Sequence, residues 1–183
     1  RNVQLQQASA ALVWTGSWYE ADVAIDPLGS ETPAPSLLGD LKAYLYRYRC
    51  MGHDLRVLAA RYVPIDLKLE VCVLPHSQKA HVKEALLDAF SNRRLPNGKL
   101  GFFHADNLSF GVNIEFSTIV AEGMKIPGVE CVRVIRLQRQ FEEANSELEN
   151  GLLTLSSHEI AQLDNNPVYP ERGKLELSLS GGR

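Results

Sequence analysis

The chain has 183 residues, 45% of them hydrophobic and 22% charged, and a formal net charge of −3. This length fits one domain with an appendage, and the composition is ordinary for a soluble globular protein. The weak negative charge argues against a nucleic-acid-binding domain, which usually presents a basic face. No apolar run approaches the roughly 20 residues of a membrane-spanning helix, and no signal peptide is visible.

Residues 1–11 are polar and rich in glutamine, and they predict a linker or an extended arm. Because the chain begins with Arg1 rather than methionine, we expect it to be part of a longer protein. Residues 19–25 alternate between apolar and polar side chains, which predicts a first half-buried strand. Leucines and tyrosines at helical spacing predict a helix from Ser36 to about Arg49.

Residues 63–73 show the clearest pattern of the chain, because every odd position is aliphatic and the even positions are Pro, Asp, Lys, Glu and Cys. Side chains of a strand alternate between its two faces, so this pattern predicts a strand with one buried face. A shorter strand is predicted at residues 55–59, and the valine-rich residues 129–137 predict another. Helices are predicted at residues 77–90 and, shorter, at residues 117–124.

The main predicted elements run strand, helix, strand, strand, helix, strand, which is the βαββαβ order of the ferredoxin-like split βαβ sandwich. Such an α+β domain has a four-stranded sheet with helices on one face, as half-polar strands require. We assign it to residues 12–140. The acidic residues 141–150 predict a linker, and two further alternating segments predict a C-terminal β-hairpin-like appendage over residues 151–183.

The three cysteines, Cys50, Cys72 and Cys131, are far apart and odd in number, and they form no C-x-x-C motif. This usage predicts reduced, semi-buried thiols in a protein assembled in a reducing compartment such as the cytoplasm. Nothing marks Cys50 or Cys72 as reactive, although the sequence leaves a Cys–His nucleophile pair open.

The sequence contains none of the nucleotide-binding, nucleophile-elbow or zinc-protease motifs, so we expect no cofactor. His104 and Asp106 could offer two metal ligands from a loop, but no third ligand lies nearby in sequence. Zinc sites usually show tighter ligand spacing, so we expect no metal. The alternative is a loop histidine hydrogen-bonded to the backbone, beside a turn built by Asp106 and Asn107.

Residues 92–111 form a long predicted loop, and loops of this length in compact domains tend to be functional. Aromatic side chains lie in or beside this and other irregular segments. They are either core residues beneath the loops or anchors for protein partners, since aromatics are enriched at interface hot spots. The candidate interface residues are Trp14, Trp18, Phe102, Phe103, His104, Asp106, Asn107 and Phe110.

Three strings go beyond these physical patterns: residues 14–19 (WTGSWY), residues 90–107, which include LPNG and GFFHADN, and residues 160–167 (IAQLDNNP). Together they resemble the C-terminal part of the baseplate J-like wedge family, the baseplate assembly proteins of contractile phage tails and extracellular contractile injection systems. The strand that begins at residues 63–66 (VPID) and the turn at Gly128 also match that family's pattern. The resemblance covers nearly the whole chain, with the order of the motifs preserved.

From the resemblance we expect a structural protein rather than an enzyme, and no catalytic residue is carried over. Family members are much longer, and their N-terminal regions join a helical bundle with a second wedge protein, while their C-terminal domains help close a ring around the central hub. The expected partners are other wedge subunits, copies of this chain, and sheath-initiating and hub proteins, without nucleic acid or a direct membrane span. The expected location is a phage-like tail or extracellular injection particle, assembled in the cytoplasm.

The interface is expected either on the sheet face opposite the helices or on the loop at residues 92–111. Two rival functions remain, because fold alone does not decide function. One is a small-molecule-binding regulatory module with a ferredoxin-like fold. The other is a metal-dependent hydrolase centred on His104 and Asp106.

Overall fold

The computed structural model describes residues 5–28, 32–96 and 98–183. Residues 1–4 of the predicted arm lie outside the described residues, and residues 5–11 of it belong to a strand. The elements in chain order are β1 (Leu5–Trp14), β2 (Tyr19–Pro27), α1 (Pro35–Leu45), β3 (Asp54–Ala59), β4 (Arg61–Val73), α2 (Lys79–Ala89), β5 (Ile114–Glu115), α3 (Phe116–Met124), β6 (Val129–Arg139), α4 (Glu147–Asn150), β7 (Leu152–Leu153), β8 (Glu159–Gln162) and β9 (Lys174–Gly181). Among the described residues, no helix is long and apolar enough to cross a membrane.

β4 is the central strand of the larger sheet, and its predicted alternation is confirmed. Ile65, Leu67, Leu69 and Val71 are fully buried, whereas the residues between them keep some exposure to solvent. β6 pairs with β4 in antiparallel register, and β9 pairs with the same residues of β4 in parallel. β8 pairs in parallel with the first four residues of β4. Strand pairing on both edges of β4 therefore fixes the orientation of its aliphatic face.

The α+β class is confirmed, whereas the ferredoxin-like arrangement is not. The first strand predicted at residues 19–25 is β2, which forms a hairpin with β1 and pairs in parallel with β3 to give a separate sheet of order β1-β2-β3. The neighbours of β4 come instead from β6 and from the C-terminal strands. Alternation along a strand identifies its buried face but not its partner, which explains the difference.

The last 30 or so residues differ from the predicted hairpin-like appendage, because β8 and β9 both pair with β4. The side chain of Asn165, between these two strands, accepts a hydrogen bond from the backbone N–H of Leu175 at 3.0 Å. Gly173, with a φ of 99°, lies where a Cβ would press on the backbone of Gln162 and Leu163. The tight turn before β9 thus places this strand at the edge of β4.

The prediction that all cysteines are reduced is wrong for two of them. Cys72 of β4 and Cys131 of β6 lie directly opposite each other, with a Cα–Cα distance of 4.9 Å, and form a disulfide. The two residues are 59 positions apart in sequence, and only the strand register reveals that they are neighbours. Cys50 is free, as predicted, but it is exposed rather than semi-buried.

The hydrophobic core lies on the aliphatic face of β4. α2 contributes Val82 and Leu86, and α3 contributes Ile119, each almost completely buried. α3 packs against β6, and α2 lies beside β9. By contrast, α1 contributes no buried residue and packs against β3 of the smaller sheet.

A bidentate ion pair joins the two strands that flank β4. The two guanidinium Nη atoms of Arg139 on β6 donate to the two carboxylate oxygens of Glu159 on β8, at 3.0 and 2.6 Å. The backbone N–H of Ser156 donates to the same carboxylate at 2.9 Å. These hydrogen bonds lower the pKa of Glu159 to about 2, although the residue is only 4% exposed.

We expect Arg139→Met to lower the free energy of unfolding by about 3–5 kcal/mol at pH 7, because it breaks the bidentate pair and leaves the buried carboxylate of Glu159 only the exposed Arg61, at 3.5 Å. Glu159 has a depressed pKa, so its stabilisation is present above its ordinary pKa of 4.5 and is lost as the pH falls towards 2. The stability difference between the wild type and Glu159→Gln should therefore shrink over this range. Urea unfolding at several pH values measures both effects.

The control is Arg133→Met on the same strand, because Arg133 is exposed and lies 4.0 Å from Glu70. Loss of such a surface pair should cost less than about 1 kcal/mol. Equal losses for Arg133→Met and Arg139→Met would contradict the special role of the buried pair.

Candidate functional site

The long loop at residues 92–111 is folded tightly against the end of α2. The backbone N–H of Phe102 donates to the carbonyl of Ala89 at 2.7 Å, and that of Phe103 donates to Ser91 at 3.2 Å. Gly101 passes so close to Ser91 that an added Cβ would overlap the carbonyl oxygen of Ser91. Glycine is needed at this position because its backbone approaches Ser91 closely, and not because of an unusual backbone angle.

The phenylalanines of this loop are core residues, which is one of the two alternatives that the sequence left open. Phe103 is only 2% exposed, and Phe102 and Phe110 pack against the main core. The ring of Phe102 lies edge-on to both Phe90 and Phe103, with centroid distances of 6.0 and 4.9 Å. In this structure Phe103 is therefore not accessible to a partner.

Polar residues of the second and third strings join these segments to each other. The side-chain amide of Asn92 donates to Asp164 at 2.8 Å, which links the loop to the segment after β8. The side-chain amide of Asn107 donates to the carbonyl of Gly101 at 2.8 Å and closes the loop on itself. Asn97 of the second string lies outside the described residues. Asn92, Asn107 and Asp164 are thus engaged in internal hydrogen bonds.

His104 and Asp106 form a local turn. The backbone N–H of Asp106 donates to Nδ1 of His104 at 3.1 Å, and the side chain of Gln6 donates to Oδ1 of Asp106 at 2.9 Å. Among the described residues, no group of three or more His, Cys, Asp or Glu side chains could hold a metal ion. The geometry matches the loop-histidine alternative.

A cavity of about 400 Å³ lies between this loop, the end of β2 and β8. Asp26 lines it and is only 4% exposed. Burial raises the pKa of Asp26, while a hydrogen bond of 2.6 Å from the hydroxyl of Tyr62 partly opposes that rise. The cavity combines carboxyl groups with apolar and aromatic walls. Its other lining residues include Tyr62, Phe103, His104, Asp106, Ile160 and Asp164.

The turn between β1 and β2 presents aromatic side chains to solvent. Trp14 and Trp18 are 56% and 51% exposed. Both the backbone N–H and the hydroxyl of Thr15 donate to the carbonyl of Trp18, at 3.0 and 2.8 Å. Gly16 has a φ of 100°, a backbone angle that side chains other than glycine rarely adopt. We call Trp14, Trp18 and Tyr19 the hairpin end.

Sequence reasoning missed a second exposed aromatic group at the end of α1. The helix predicted to run to about Arg49 ends at Leu45. Tyr44, Tyr46 and Tyr48 are each more than half exposed. The alternation of tyrosine and arginine at residues 46–49 is the signal that could have revealed it, because arginine seldom lies in a core. The ring of His53 connects this region to Tyr19 of the hairpin end, at a centroid distance of 6.4 Å.

No protein-family profile matches the chain, and no curated protein matches it. Among solved structures, the chain is similar to one chain of the anti-feeding prophage (AFP) baseplate, determined by cryo-electron microscopy and 6-fold symmetrised. The two chains share 9% sequence identity, and their TM-score is 0.40. The match covers 92% of this chain and 38% of the other, so this chain spans well under half the length of that protein.

We expect Gly101→Ala to lower the free energy of unfolding by about 2–3 kcal/mol, because the new methyl group forces the loop away from Ser91. The matched control is Gly39→Ala in α1, where an added Cβ meets no atom within 4 Å. That change should stabilise the chain by about 0.5–1 kcal/mol, since alanine favours the helix. Thermal or urea unfolding distinguishes the two, and a neutral Gly101→Ala would contradict the close approach.

We expect Asp26→Asn to stabilise the chain more at pH 7 than at pH 4. A carboxyl whose pKa is raised on folding binds its proton more tightly in the folded state, so stability falls as the pH rises through this range. Asparagine retains an acceptor for Tyr62 and carries no charge. Tyr62→Phe should have the opposite effect and destabilise mainly at neutral pH. A difference between wild type and Asp26→Asn that does not grow with pH in urea unfolding would refute this account.

Proposed function

We propose that this chain is a structural part of a baseplate wedge protein, in a phage-like tail or contractile injection system. In this role it helps to form the ring around the central hub and links that ring to the sheath. Its partners are other wedge subunits, copies of itself, and hub and sheath-initiating proteins. The particle is assembled in the cytoplasm of the producing cell.

The observation that carries this proposal is the set of internal hydrogen bonds made by residues of the second and third wedge-like strings. Asn92 and Asp164 from two different strings bond to each other, and Asn107 and Asn165 bond to backbone groups. Residues that define a reactive site normally point their polar groups toward a substrate. Here the described motif residues instead fasten the long loop and the C-terminal return to the sheet, as a structural protein requires.

The remaining string supplies a contact surface. Trp14, Trp18 and Tyr19 are held at the exposed hairpin end by hydrogen bonds of the turn, and their rings are not needed to fill the core around β4. Tryptophan and tyrosine are the residue types most enriched among interface hot spots. An exposed aromatic group on a short, ordered turn is typical of an anchor for a protein partner.

We further propose that the chain is not an enzyme. Of the two candidates for metal chemistry, His104 accepts a hydrogen bond from the backbone N–H of Asp106, and the carboxylate of Asp106 accepts one from Gln6. The second candidate function is a small-molecule-binding module. The cavity beside Asp26 favours it, because its carboxyl groups and aromatic walls fit a small cationic ligand better than an anionic one.

The experiment is electron microscopy of native assemblies purified through this protein. We expect contractile particles that carry it in a ring at the baseplate. Trp14→Ala and Trp18→Ala should reduce its incorporation while changing its melting temperature little, because both rings are exposed. Phe103→Ala is the contrast, since loss of a buried phenylalanine should cost about 3–5 kcal/mol of folding stability.

A protein that enters no large assembly in cells expressing all neighbouring genes would refute the structural role. Thermal stabilisation of the isolated chain by a small cationic metabolite would then favour the second candidate. Normal incorporation of both tryptophan variants would remove the hairpin end from the interface and leave the rest of the proposal standing.

A further inference from the structure

One exposed surface of the chain combines tyrosines with positively charged side chains. Residues 41–53 contain no acidic residue. Among the described residues, neither Lys42 nor Arg47 forms an ion pair. The guanidinium of Arg49 lies 4.0 Å from the centroid of the Tyr46 ring and pairs with Asp54 at 3.6 Å. We define the aromatic–basic surface as Lys42, Tyr44, Tyr46, Arg47, Tyr48 and Arg49.

A second exposed surface has the opposite character. Residues 141–150 contain glutamates and no lysine or arginine. Phe141 and Leu148 present apolar side chains to solvent there, and Phe141 is 78% exposed. Glu143 and Glu149 are exposed and have no ion pair among the described residues. We define the acidic segment as Phe141, Glu142, Glu143, Leu148 and Glu149.

The backbone of the acidic segment fixes its exposed aromatic residue in an unusual conformation. Phe141 has a φ of 68°, which is uncommon for a bulky side chain. Such backbone strain persists where the surrounding structure enforces it, and it concentrates at functional sites. Next to it, Glu142 lies within 4.0 Å of Arg61 and 3.9 Å of Arg139, so the start of the segment is tied to β4 and β6.

The two surfaces are complementary in both charge and apolar content. The aromatic–basic surface offers cations and rings, and the acidic segment offers carboxylates, Phe141 and Leu148. Within one chain, no hydrogen bond or ion pair found among the described residues joins them. We infer that the aromatic–basic surface of one copy docks on the acidic segment of a second copy.

Such a contact joins two different surfaces, so it is head-to-tail and can propagate from copy to copy. A head-to-tail contact closes into a ring when its rotation permits and forms a filament otherwise. The ring rests on the proposed function, whereas the pairing of the two surfaces is argued from their own residues. Opposite charges would also steer the encounter, so the association should weaken with salt.

Charge reversal tests the contact on the whole chain. The basic reversal is Lys42→Glu with Arg47→Glu, and the acidic reversal is Glu143→Lys with Glu149→Lys. Sedimentation velocity at low ionic strength should show that each reversal alone weakens self-association by on the order of tenfold or more, because like charges then face each other. The wild type should associate less at high salt.

Mixing the two reversed proteins should restore association, since the reversed surface of each then meets its complement on the other. All four substitutions in one chain should restore it as well. The control, Arg93→Glu with Arg94→Glu, makes an equal charge change on the loop tip and should leave association unchanged. Circular dichroism confirms that each variant is folded.

A wild type that stays monomeric at low ionic strength overturns the inference, and so does association that the reversals leave unchanged. Failure of the mixture to associate overturns it too, because complementary charges would then not be the cause. If native particles contain the protein but charge reversal has no effect, only this contact is refuted. If charge reversal behaves as expected but no particle is found, the proposed function fails and the contact remains.

Discussion

The fold depends on one constraint, which is that β4 must bury its aliphatic face while both of its edges are paired. The 13 residues of β4 present Ile65, Leu67, Leu69 and Val71 to the core. An antiparallel partner on one edge and parallel partners elsewhere hold the register of that face, and a slip of one residue would turn every aliphatic side chain toward water. Parallel partners need a long connection, so the C-terminal residues must travel back to reach β4. The position of the loop at residues 92–111 follows from the path that these C-terminal residues take back to β4.

The return path explains why the loop at residues 92–111 is ordered despite having little regular structure. Backbone polar groups of a loop that covers a core must find partners, since leaving them buried and unpaired is costly. Gly101 allows the loop to approach Ser91, and Asn92 reaches Asp164 at the end of the returning segment. With these groups satisfied, Phe103 can be buried beneath the loop. The same residues that look like a functional motif in the sequence therefore close one side of the core.

The sequence was sufficient to predict local secondary structure but insufficient to predict which strands pair with each other. Period-two alternation identified β4, and helical spacing identified α2, because both patterns depend on neighbouring residues alone. The parallel pairings of β2 with β3 and of β4 with β9, and the opposition of Cys72 and Cys131, depend on register between distant segments and left no local signal. The candidate site shows the same limit. Trp18 and Phe103 both lie in irregular segments, yet one is exposed and the other buried, and residue type alone does not distinguish them.

The exposed aromatic residues have a different physical status from those of the core. The aliphatic face of β4 is already covered by α2, α3 and the long loop, so the folded chain does not need Trp14, Tyr48 or Phe141 for its stability. In an isolated chain these rings keep apolar area in water, and Phe141 adds the cost of a strained backbone. If a second surface covers these rings, burial of their apolar area releases hydrophobic free energy. That free energy offsets the cost of exposure and the cost of the strained backbone at Phe141. Under the proposed function, the exposure of these rings is the exposure of one subunit separated from its assembly.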